Sequence, residues 1–273
     1  MKKLHVCTAF DRSFFLPANV MMHSVIKNTD SKIHFHLLIP KEDFKEYQEY
    51  FSAFPLLKKC LTSVYQVDNR KLSDTLRMSG TRHFSDAAIY RLLMTEYLPL
   101  SVDKILYLDG DLVINLDISE IYVKYSNEAF SARIERFDDG YFNSGVYLTS
   151  LNFWRDHQIK SQALEFLFQN PSLEYKDQDS LNHVFKYSNV PMEKKFNYPL
   201  TDFRIFGSSN SKACIFHFTG SVKPWKRHAP IVYPVKLWRS LYAEVYQAEA
   251  PLQNVKWSLL KRMVITGRML AKF

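Results

Sequence analysis

The sequence contains no long apolar run and only three cysteines, and these two features limit the kinds of protein that it can encode. No stretch of its 273 residues reaches the roughly eighteen consecutive apolar residues of a membrane-spanning helix. The three cysteines, Cys7, Cys60 and Cys214, have neither paired nor metal-ligand spacing. Cys7 and Cys214 lie in apolar runs and are expected to be core thiols of a reducing compartment, which predicts a cytoplasmic protein. The apolar start of the chain contains His5 and stops at Asp11, which favours a first strand over a signal peptide.

Acidic residues are missing from residues 250–273, whereas the whole chain carries a net charge of +8. This last segment contains basic residues among apolar residues spaced three to four apart. The pattern predicts a basic amphipathic helix that lies on an anionic membrane surface. The alternative is a terminal helix that packs on the domain and leaves a solvated basic face. Nucleic acid, anionic lipid and phosphorylated small molecules all suit a basic protein.

Composition predicts one folded domain over residues 1–249, followed by the helix over 250–273. Hydrophobic residues make up 47% and aromatic residues 15% of the chain, which excludes a disordered protein. The sequence has no internal repeat and no low-complexity linker that would divide the domain.

The first half of the chain alternates between strand-like and helix-like segments. Strands are predicted at 4–10, 33–40 and 61–67, and helices at 18–28, 41–51 and 85–97, with a loop at 69–84. This alternation predicts an α/β fold with an open, mostly parallel sheet covered by helices on both faces. The second half is mixed, with strands predicted at 130–135, 146–151 and 214–218 and helices at 159–169, 178–185 and 235–247. In such sheets ligands bind at the carboxyl ends of the strands.

Two carboxylates interrupt the apolar segment at residues 104–114, where Asp109-Gly110-Asp111 follows the pattern of a buried strand. Burying two like charges is costly unless a cation neutralises them. Mg²⁺ and Mn²⁺ prefer carboxylate oxygens together with substrate phosphates, so a divalent metal with a phosphate-rich ligand is the simplest such cation. Gly110 leaves room for that ligand. The alternative is that Asp109 and Asp111 only cap the turn after a strand.

Polar residues also occur in other segments where the pattern predicts core. His217 lies in an apolar strand and can supply a neutral imidazole to the same metal, although a core histidine is the usual interpretation of such a residue alone. Gly220 can let the backbone approach a phosphate, and Lys223 can neutralise that phosphate. Arg91 lies in an apolar helix and needs an anion or an acid as partner.

Two further segments carry polar groups without an obvious structural need. Asn143 follows two aromatic residues before a strand and suits sugar hydroxyls, the alternative being a turn amide. Asp177, Gln178 and Asp179 lie at the start of a helix. N-capping by Asp177 explains that residue but not the other two.

Together these segments resemble glycosyltransferase family 8, the retaining enzymes that use nucleotide sugars. The resemblance covers nearly the whole chain and rests on five elements in this order: Tyr90-Arg91-Leu92, Asp109-Gly110-Asp111, residues 142–146, Asp177-Gln178-Asp179 and the run from His217 to Trp225. It implies the GT-A fold, a Rossmann-like sheet joined to a smaller mixed region. It also implies transfer of glucose or galactose from UDP-glucose or UDP-galactose.

The resemblance implies a role for each of these residues. Mn²⁺ or Mg²⁺ would be bound by Asp109, Asp111 and His217. The residues that would contact the UDP-sugar are Ala9, Asp11, Phe14, Arg91, Asp109, Gly110, Asn143, Gly220 and Lys223. Asp177 and Asp179 would hold the donor sugar, and Gln178 would lie near the anomeric carbon on the face opposite the leaving group.

The resemblance and the basic tail together suggest an acceptor. A cytoplasmic transferase with such a tail suits a lipid-linked glycan at the inner face of the membrane, such as a lipopolysaccharide or lipooligosaccharide core. We expect the protein to be peripheral on that membrane and to bind no nucleic acid.

Two other interpretations compete with this one. The segment at Asp109 also resembles the first motif of haloacid-dehalogenase-type phosphatases, in which the first aspartate is a nucleophile. That motif usually lies near the start of its domain and needs a later acidic pair, whereas here it lies at mid-chain. A basic module that binds nucleic acid or lipid would leave the acids at the strand ends unexplained, because they repel phosphate.

Overall fold

The computed structural model of the protein describes residues 3–53, 60–68, 87–136, 139–200, 212–227 and 229–252. The loop predicted at 69–84 and the predicted helix start at residue 85 lie outside these ranges. Residues 253–273, which make up most of the predicted amphipathic helix, also lie outside them. The predicted domain boundary after residue 249 therefore stays a prediction.

The first half of the chain forms a parallel sheet. Its elements are β1 (Leu4–Ala9), α1 (Phe15–Asn28), β2 (Ile33–Pro40), α2 (Phe44–Ala53), β3 (Leu61–Val67) and β4 (Lys104–Leu108). The strands pair in parallel in the order β3-β2-β1-β4. Cys7 pairs with Tyr107, so the carboxyl ends of β1 and β4 lie at the same edge of the sheet. The predicted parallel arrangement is confirmed.

The helix predicted over 85–97 is interrupted. Its described part consists of α3 (Ala87–Tyr90) and α4 (Met94–Tyr97), separated by a 3₁₀ turn at Arg91–Leu93. Arg91 is buried, and its Nε donates to the Ala88 carbonyl at 2.9 Å. A short 3₁₀ turn inside a helix is typical of functional positions, and here it lies where the arginine enters the core.

The second half of the chain completes the large sheet and adds a small one. Its elements are β5 (Leu112–Ile114), α5 (Ser119–Tyr125), β6 (Phe130–Arg136), β7 (Tyr141–Ser150), α6 (Leu151–Asp156), α7 (Ile159–Gln169), α8 (Asp177–Phe185), β8 (Asn189–Pro191), β9 (Tyr198–Pro199), β10 (Ile215–His217) and α9 (Tyr233–Tyr246). β7 lies antiparallel between β4 and β6, and the large sheet has the order β3-β2-β1-β4-β7-β6-β8. β5, β10 and β9 form the small sheet, which corresponds to the predicted mixed region.

The apolar segment at 104–114 is two strands in two sheets, not one strand interrupted by acids. β4 ends at Leu108 in the large sheet, and β5 begins at Leu112 in the small sheet. Asp109-Gly110-Asp111 is therefore the crossing between the sheets. Because Leu108 and Leu112 are both fully buried, the apolar pattern continues across the crossing and hides the change of sheet.

β7 begins at Tyr141 rather than at residue 146, so Asn143 lies within a strand and not in a turn before it. Side-chain amides of α8 hold this part of the strand. The Phe142 N–H donates to Asn182 Oδ1 at 2.8 Å, and the Ser144 N–H donates to Gln178 Oε1 at 3.0 Å. Local patterning does not reveal these partners because they lie more than thirty residues away in the sequence.

Helices cover both faces of the large sheet, as predicted. Helices α1, α2 and α5 pack on the face that carries Val6 and Leu108, whereas α3, α6, α7 and α8 pack on the face that carries Cys7 and Tyr107. Cys7 and Cys214 are buried free thiols, also as predicted. Within the described part of the chain, no helix has the length and apolarity needed to span a bilayer.

Candidate active site

Strand register brings three predicted side chains to one point. Asp109 follows β4, and Asp111 precedes β5. β10 pairs antiparallel with β5 so that His217 lies opposite Leu112, and the Phe218 N–H donates to the Asp111 carbonyl at 3.0 Å. One carboxylate oxygen from each aspartate and one ring nitrogen of His217 consequently lie within 4.8 Å of one another.

The electrostatics of this cluster keep Asp111 ionised. His217 Nε2 lies 3.4 Å from Asp111 Oδ1 and 3.9 Å from Asp109 Oδ2, and Lys223 Nζ lies 2.5 Å from Asp111 Oδ2. Burial alone would raise the pKa of Asp111, but Lys223 and His217 hold that pKa below its ordinary value. Two carboxylates and one imidazole are ligands that Mn²⁺ accepts, so the donor set fits the metal that the resemblance implies.

A chain of buried amides orients the histidine, and sequence reasoning missed its central member, Asn197. The Gly145 N–H can only donate, and it donates to Asn143 Oδ1 at 3.0 Å. Asn197 Nδ2 donates to the same oxygen at 2.9 Å, which turns Asn197 Oδ1 toward His217 Nδ1, also at 2.9 Å. Nδ1 of His217 is therefore the donor in this hydrogen bond, which leaves Nε2 as the nitrogen that faces the aspartates and can bind a metal. Such outer hydrogen bonds set the tautomer of metal-binding histidines.

Gly145 makes room for the cluster. Its carbonyl accepts the Asp109 N–H at 2.9 Å, which places it beneath the carboxylate. A Cβ built on Gly145 would lie 2.2 Å from His217 Cε1 and 2.7 Å from Asp109 Oδ2. The position needs the small size of glycine rather than its conformational freedom. Gly145 lies within residues 142–146, one of the five segments of the family resemblance, but a role there was predicted from the sequence only for Asn143.

Arg91 connects the cluster to α8. Its Nη2 donates to Asp109 Oδ1 at 2.7 Å, its Nε lies 2.9 Å from Asp177 Oδ2, and its Nη1 donates to the Ser144 carbonyl at 2.9 Å. The Arg91 guanidinium also lies over the Tyr107 ring. The buried arginine thus has the acidic partners that the sequence required, and it holds Asp109 in place.

The carboxylates of Asp177 and Asp179 both contact other protein groups. Asp177 is the first residue of α8 and does not cap it, because its buried carboxylate pairs with Arg91. Burial raises the pKa of Asp177 to about 6, against the opposing effect of Arg91. Asp179 accepts from the Tyr141 hydroxyl at 2.5 Å and from the Tyr175 N–H at 2.8 Å. Of the described residues, those lining the cavities beside the cluster include neither Asp177 nor Asp179.

Two cavities meet at the cluster, and Asp109 and Asp111 line both. The first has a volume of about 140 Å³, and its other lining residues are Ala9, Phe10, Asp11, Phe14, Ala87, Ala88, Arg91 and Gly110. The second has a volume of about 550 Å³, and its other lining residues are Glu135, Arg136, Tyr141, Asn143, Glu174, Tyr175, Gln178, His217, Thr219 and Gly220. The first cavity is thus lined by Ala9, Asp11 and Phe14, which were predicted to contact the nucleotide. The second is lined by Asn143, Gln178 and Gly220, which were predicted to lie near the sugar or the diphosphate. Glu135 and Tyr141 were missed because they lie at exposed or polar strand ends.

The run after β10 closes one side of the site. Gly220 has φ +72°, a left-handed conformation that favours glycine. Lys223 Nζ donates to the Phe218 carbonyl at 2.6 Å as well as to Asp111. Trp225 contacts Phe14 edge to face, with ring centroids 6.0 Å apart. The run from His217 to Trp225 therefore joins the cluster to the first cavity.

Comparison with known proteins agrees with this arrangement. The family model described as glycosyl transferase family 8 matches residues 5–229. The chain belongs to glycosyl transferase family 8. This family 8 chain is 23% identical to lipopolysaccharide 1,2-glucosyltransferase of Escherichia coli, in an alignment that covers 96% of this chain and 88% of that protein. It is 24% identical to lipopolysaccharide 1,3-galactosyltransferase of Salmonella typhimurium, with 85% and 75% covered.

A solved structure agrees with the fold. The crystal structure of galactosyltransferase LgtC in complex with donor and acceptor sugar analogues superposes with a TM-score of 0.74, at 23% identity, over 90% of this chain and 97% of that chain. The family 8 chain therefore has the GT-A fold, as the sequence motifs predicted. Its two-cavity site lies at the carboxyl ends of β1 and β4, where this type of sheet binds ligands.

Proposed function

We propose that this family 8 glycosyltransferase moves a hexose, glucose or galactose, from a UDP-sugar to a glycan acceptor with retention of anomeric configuration. The observation that carries the proposal is the cluster of Asp109, Asp111 and His217 between two cavities of different character. The smaller cavity, with Asp11 and Phe14, suits a nucleoside. The larger one, with polar lining, suits a sugar.

Asp109, Asp111 and His217 would hold Mn²⁺ or Mg²⁺ at the donor diphosphate. When bound, the metal supplies Lewis-acid stabilisation of the charge that develops on the leaving UDP. Lys223 is the second source of positive charge, since its ammonium already lies at the cluster. Gly220, three residues earlier, has no side chain to keep the backbone of this run away from a phosphate oxygen. The residues present thus favour departure of a nucleoside diphosphate.

Gln178 is unsuited to act as a nucleophile. Its amide oxygen accepts from the Ser144 N–H at 3.0 Å and lies 3.3 Å from Ser144 Oγ, and its Nε2 donates to the Tyr141 hydroxyl at 3.2 Å. A primary amide oxygen held in this way positions the donor sugar rather than attacking it. We therefore propose front-face substitution, in which the departing phosphate oxygen accepts the proton of the acceptor hydroxyl. The sugar passes through an oxocarbenium-like state.

The decisive experiment is donor hydrolysis without acceptor. Purified protein with Mn²⁺ is incubated with a panel of UDP-sugars, and release of UDP is measured. We expect slow hydrolysis of UDP-glucose or UDP-galactose, with the released sugar first formed in the anomeric configuration of the donor. Asp111→Asn should abolish this activity with the fold intact, whereas Asp30→Asn, at an exposed position, should leave it unchanged.

Two results would contradict the proposal. Normal activity of Asp111→Asn at every Mn²⁺ concentration would exclude the proposed metal site. Release of phosphate from simple phosphomonoesters, with no turnover of any UDP-sugar, would favour the phosphatase interpretation instead.

For the acceptor, we propose a lipid-linked glycan of the lipopolysaccharide or lipooligosaccharide type, reached by a protein that is peripheral on the inner face of the membrane. Two relatives named for lipopolysaccharide support the acceptor class. The basic, acid-free composition of residues 250–273 supports binding to an anionic surface. Removal of residues 252–273 should shift the protein from anionic vesicles to the soluble fraction, with neutral vesicles as the control. Unchanged binding to anionic vesicles would refute this role of the tail.

A further inference from the structure

A second cluster of metal-ligating side chains lies on the large sheet, apart from the candidate active site. His5 on β1 pairs in register with His34 on β2, and His36 follows two residues later on the same face. One ring nitrogen from each of the three histidines lies within 4.8 Å of the others. We infer that His5, His34 and His36 form a binding site for one imidazole-preferring transition-metal ion of the Zn²⁺ type.

The rings are already gathered around a common point. His5 Nδ1 lies 2.9 Å from His36 Nε2, and the His34 and His36 rings stack with centroids 4.2 Å apart. The parallel register of β1 and β2 produces this grouping, because residues paired in a sheet point to the same face. Little rearrangement is needed for the three nitrogens to face one ion.

The outer ring nitrogens have hydrogen-bond partners on the next strand. His34 Nε2 lies 2.8 Å from Ser63 Oγ, and His36 Nδ1 lies 3.0 Å from the Tyr65 hydroxyl. Metal-binding histidines typically bond their second nitrogen to a neighbouring group in this way, which fixes the ring and its tautomer. Ser63 and Tyr65 would serve as these outer partners.

One nitrogen of the cluster lacks a partner. His34 Nδ1 is buried and has no hydrogen bond among the described residues. A buried polar atom without a partner costs free energy, and a bound ion can satisfy it.

The types of metal ligand distinguish the histidine cluster from the candidate active site. The histidine cluster contains no carboxylate, so it favours Zn²⁺ over Mn²⁺ or Mg²⁺, whereas Asp109 and Asp111 favour the latter. His5 lies four residues before Ala9 on β1, about 13 Å at the rise of a strand. An ion there would link β1 to β2 without touching the donor, and the inference does not depend on the proposed transferase activity.

The experiment measures Zn²⁺ binding alone, by calorimetry and by metal content after dialysis. Asp111→Asn serves as the background, because it disables the carboxylate cluster that could also take up Zn²⁺. We expect one Zn²⁺ per chain in this background. Adding Tyr65→Phe should weaken the affinity about tenfold to hundredfold, since it removes only an outer partner, and adding His34→Gln should weaken it at least as much. His157→Gln, at an exposed histidine, is the matched control and should change nothing.

Thermal unfolding provides a second readout. At the same Zn²⁺ concentration, Zn²⁺ should raise the melting temperature of the Asp111→Asn protein more than that of the His34→Gln double variant. Zn²⁺ affinity that is insensitive to both His34→Gln and Tyr65→Phe would overturn the inference and identify the cluster as a hydrogen-bonded stack of histidines. If His34→Gln fails to fold, the Tyr65→Phe comparison decides alone.

Discussion

Gly145→Ala tests the geometry of the metal cluster with the smallest possible change. The added methyl carbon would lie 2.2 Å from His217 Cε1, whereas ordinary contacts begin at 3.4 Å, so the imidazole must move by about 1.2 Å. Asp109 Oδ2, at 2.7 Å, must move as well. β7 cannot shift to relieve the contact, because it is paired with β4 on one side and with β6 on the other.

The expected result is a large loss of function with a moderate loss of stability. A misplacement of about 1 Å in a catalytic group costs roughly a hundredfold in rate. Overpacking of a buried site costs about 1–3 kcal/mol in the free energy of unfolding. The assay is Mn²⁺-dependent hydrolysis of a UDP-sugar, titrated with the metal, alongside urea unfolding of the same preparations.

Gly110→Ala is the matched control for this substitution. Its added carbon would lie 3.3 Å from Phe14 Cδ1, on the side of the first cavity, so it should affect UDP binding more than Mn²⁺ binding. If Gly145→Ala kept the Mn²⁺ affinity and turnover of the unmodified protein, the reasoning about this cluster would be wrong.

Three further predictions concern the groups around the cluster. Asn197→Leu should weaken Mn²⁺ binding about tenfold to hundredfold because His217 loses the acceptor that sets its tautomer, and equal affinity in a Mn²⁺ titration would argue against the amide chain. The pKa of Asp177 is raised from 3.8 to about 6 in the folded protein, so protonation of this carboxyl stabilises the fold. This stabilisation is complete below pH 4 and is lost as the pH rises through 6, a decrease of about 3 kcal/mol in the free energy of unfolding. Asp177→Asn should remove this pH dependence, and urea unfolding of both proteins at pH 4.5 and pH 7 would show whether the difference persists. Lys223→Met should lower kcat for donor hydrolysis by about a hundredfold to a thousandfold, and a change confined to KM in steady-state kinetics would contradict its role at the leaving group.

Much of the fold could be predicted because hydrophobic periodicity is a local property. The bounds predicted for 33–40, 61–67 and 159–169 agree with β2, β3 and α7. Prediction was less accurate where a distant partner changes the local structure. The division of the segment 104–114 between two sheets depends on β10, about a hundred residues later, and local hydrophobicity is the same on both sides of the division.

The candidate site could likewise be predicted only in part from the sequence. Asp109, Asp111 and His217 were recognisable because charged and polar groups in apolar strands need a partner. The contact of Asp177 with Arg91 was not recognisable, because capping already explains an acid at the start of a helix. Asn197 and Gly145 have no charge and break no pattern, so only their contacts reveal them.

The order of residues along this chain was enough to establish the alternating α/β layers, the family and the chemical types that could bind a metal and a phosphate. The layers follow from periodicity and the chemical types from the cost of burying charge, both of which depend on neighbours in sequence, whereas the family rests on the resemblance of the motifs. The meeting of the two aspartates with His217, the amide chain behind it and the histidine cluster on β1 and β2 arose from strand register. Register depends on pairing between segments far apart in sequence, so its consequences appear only when the chain is folded.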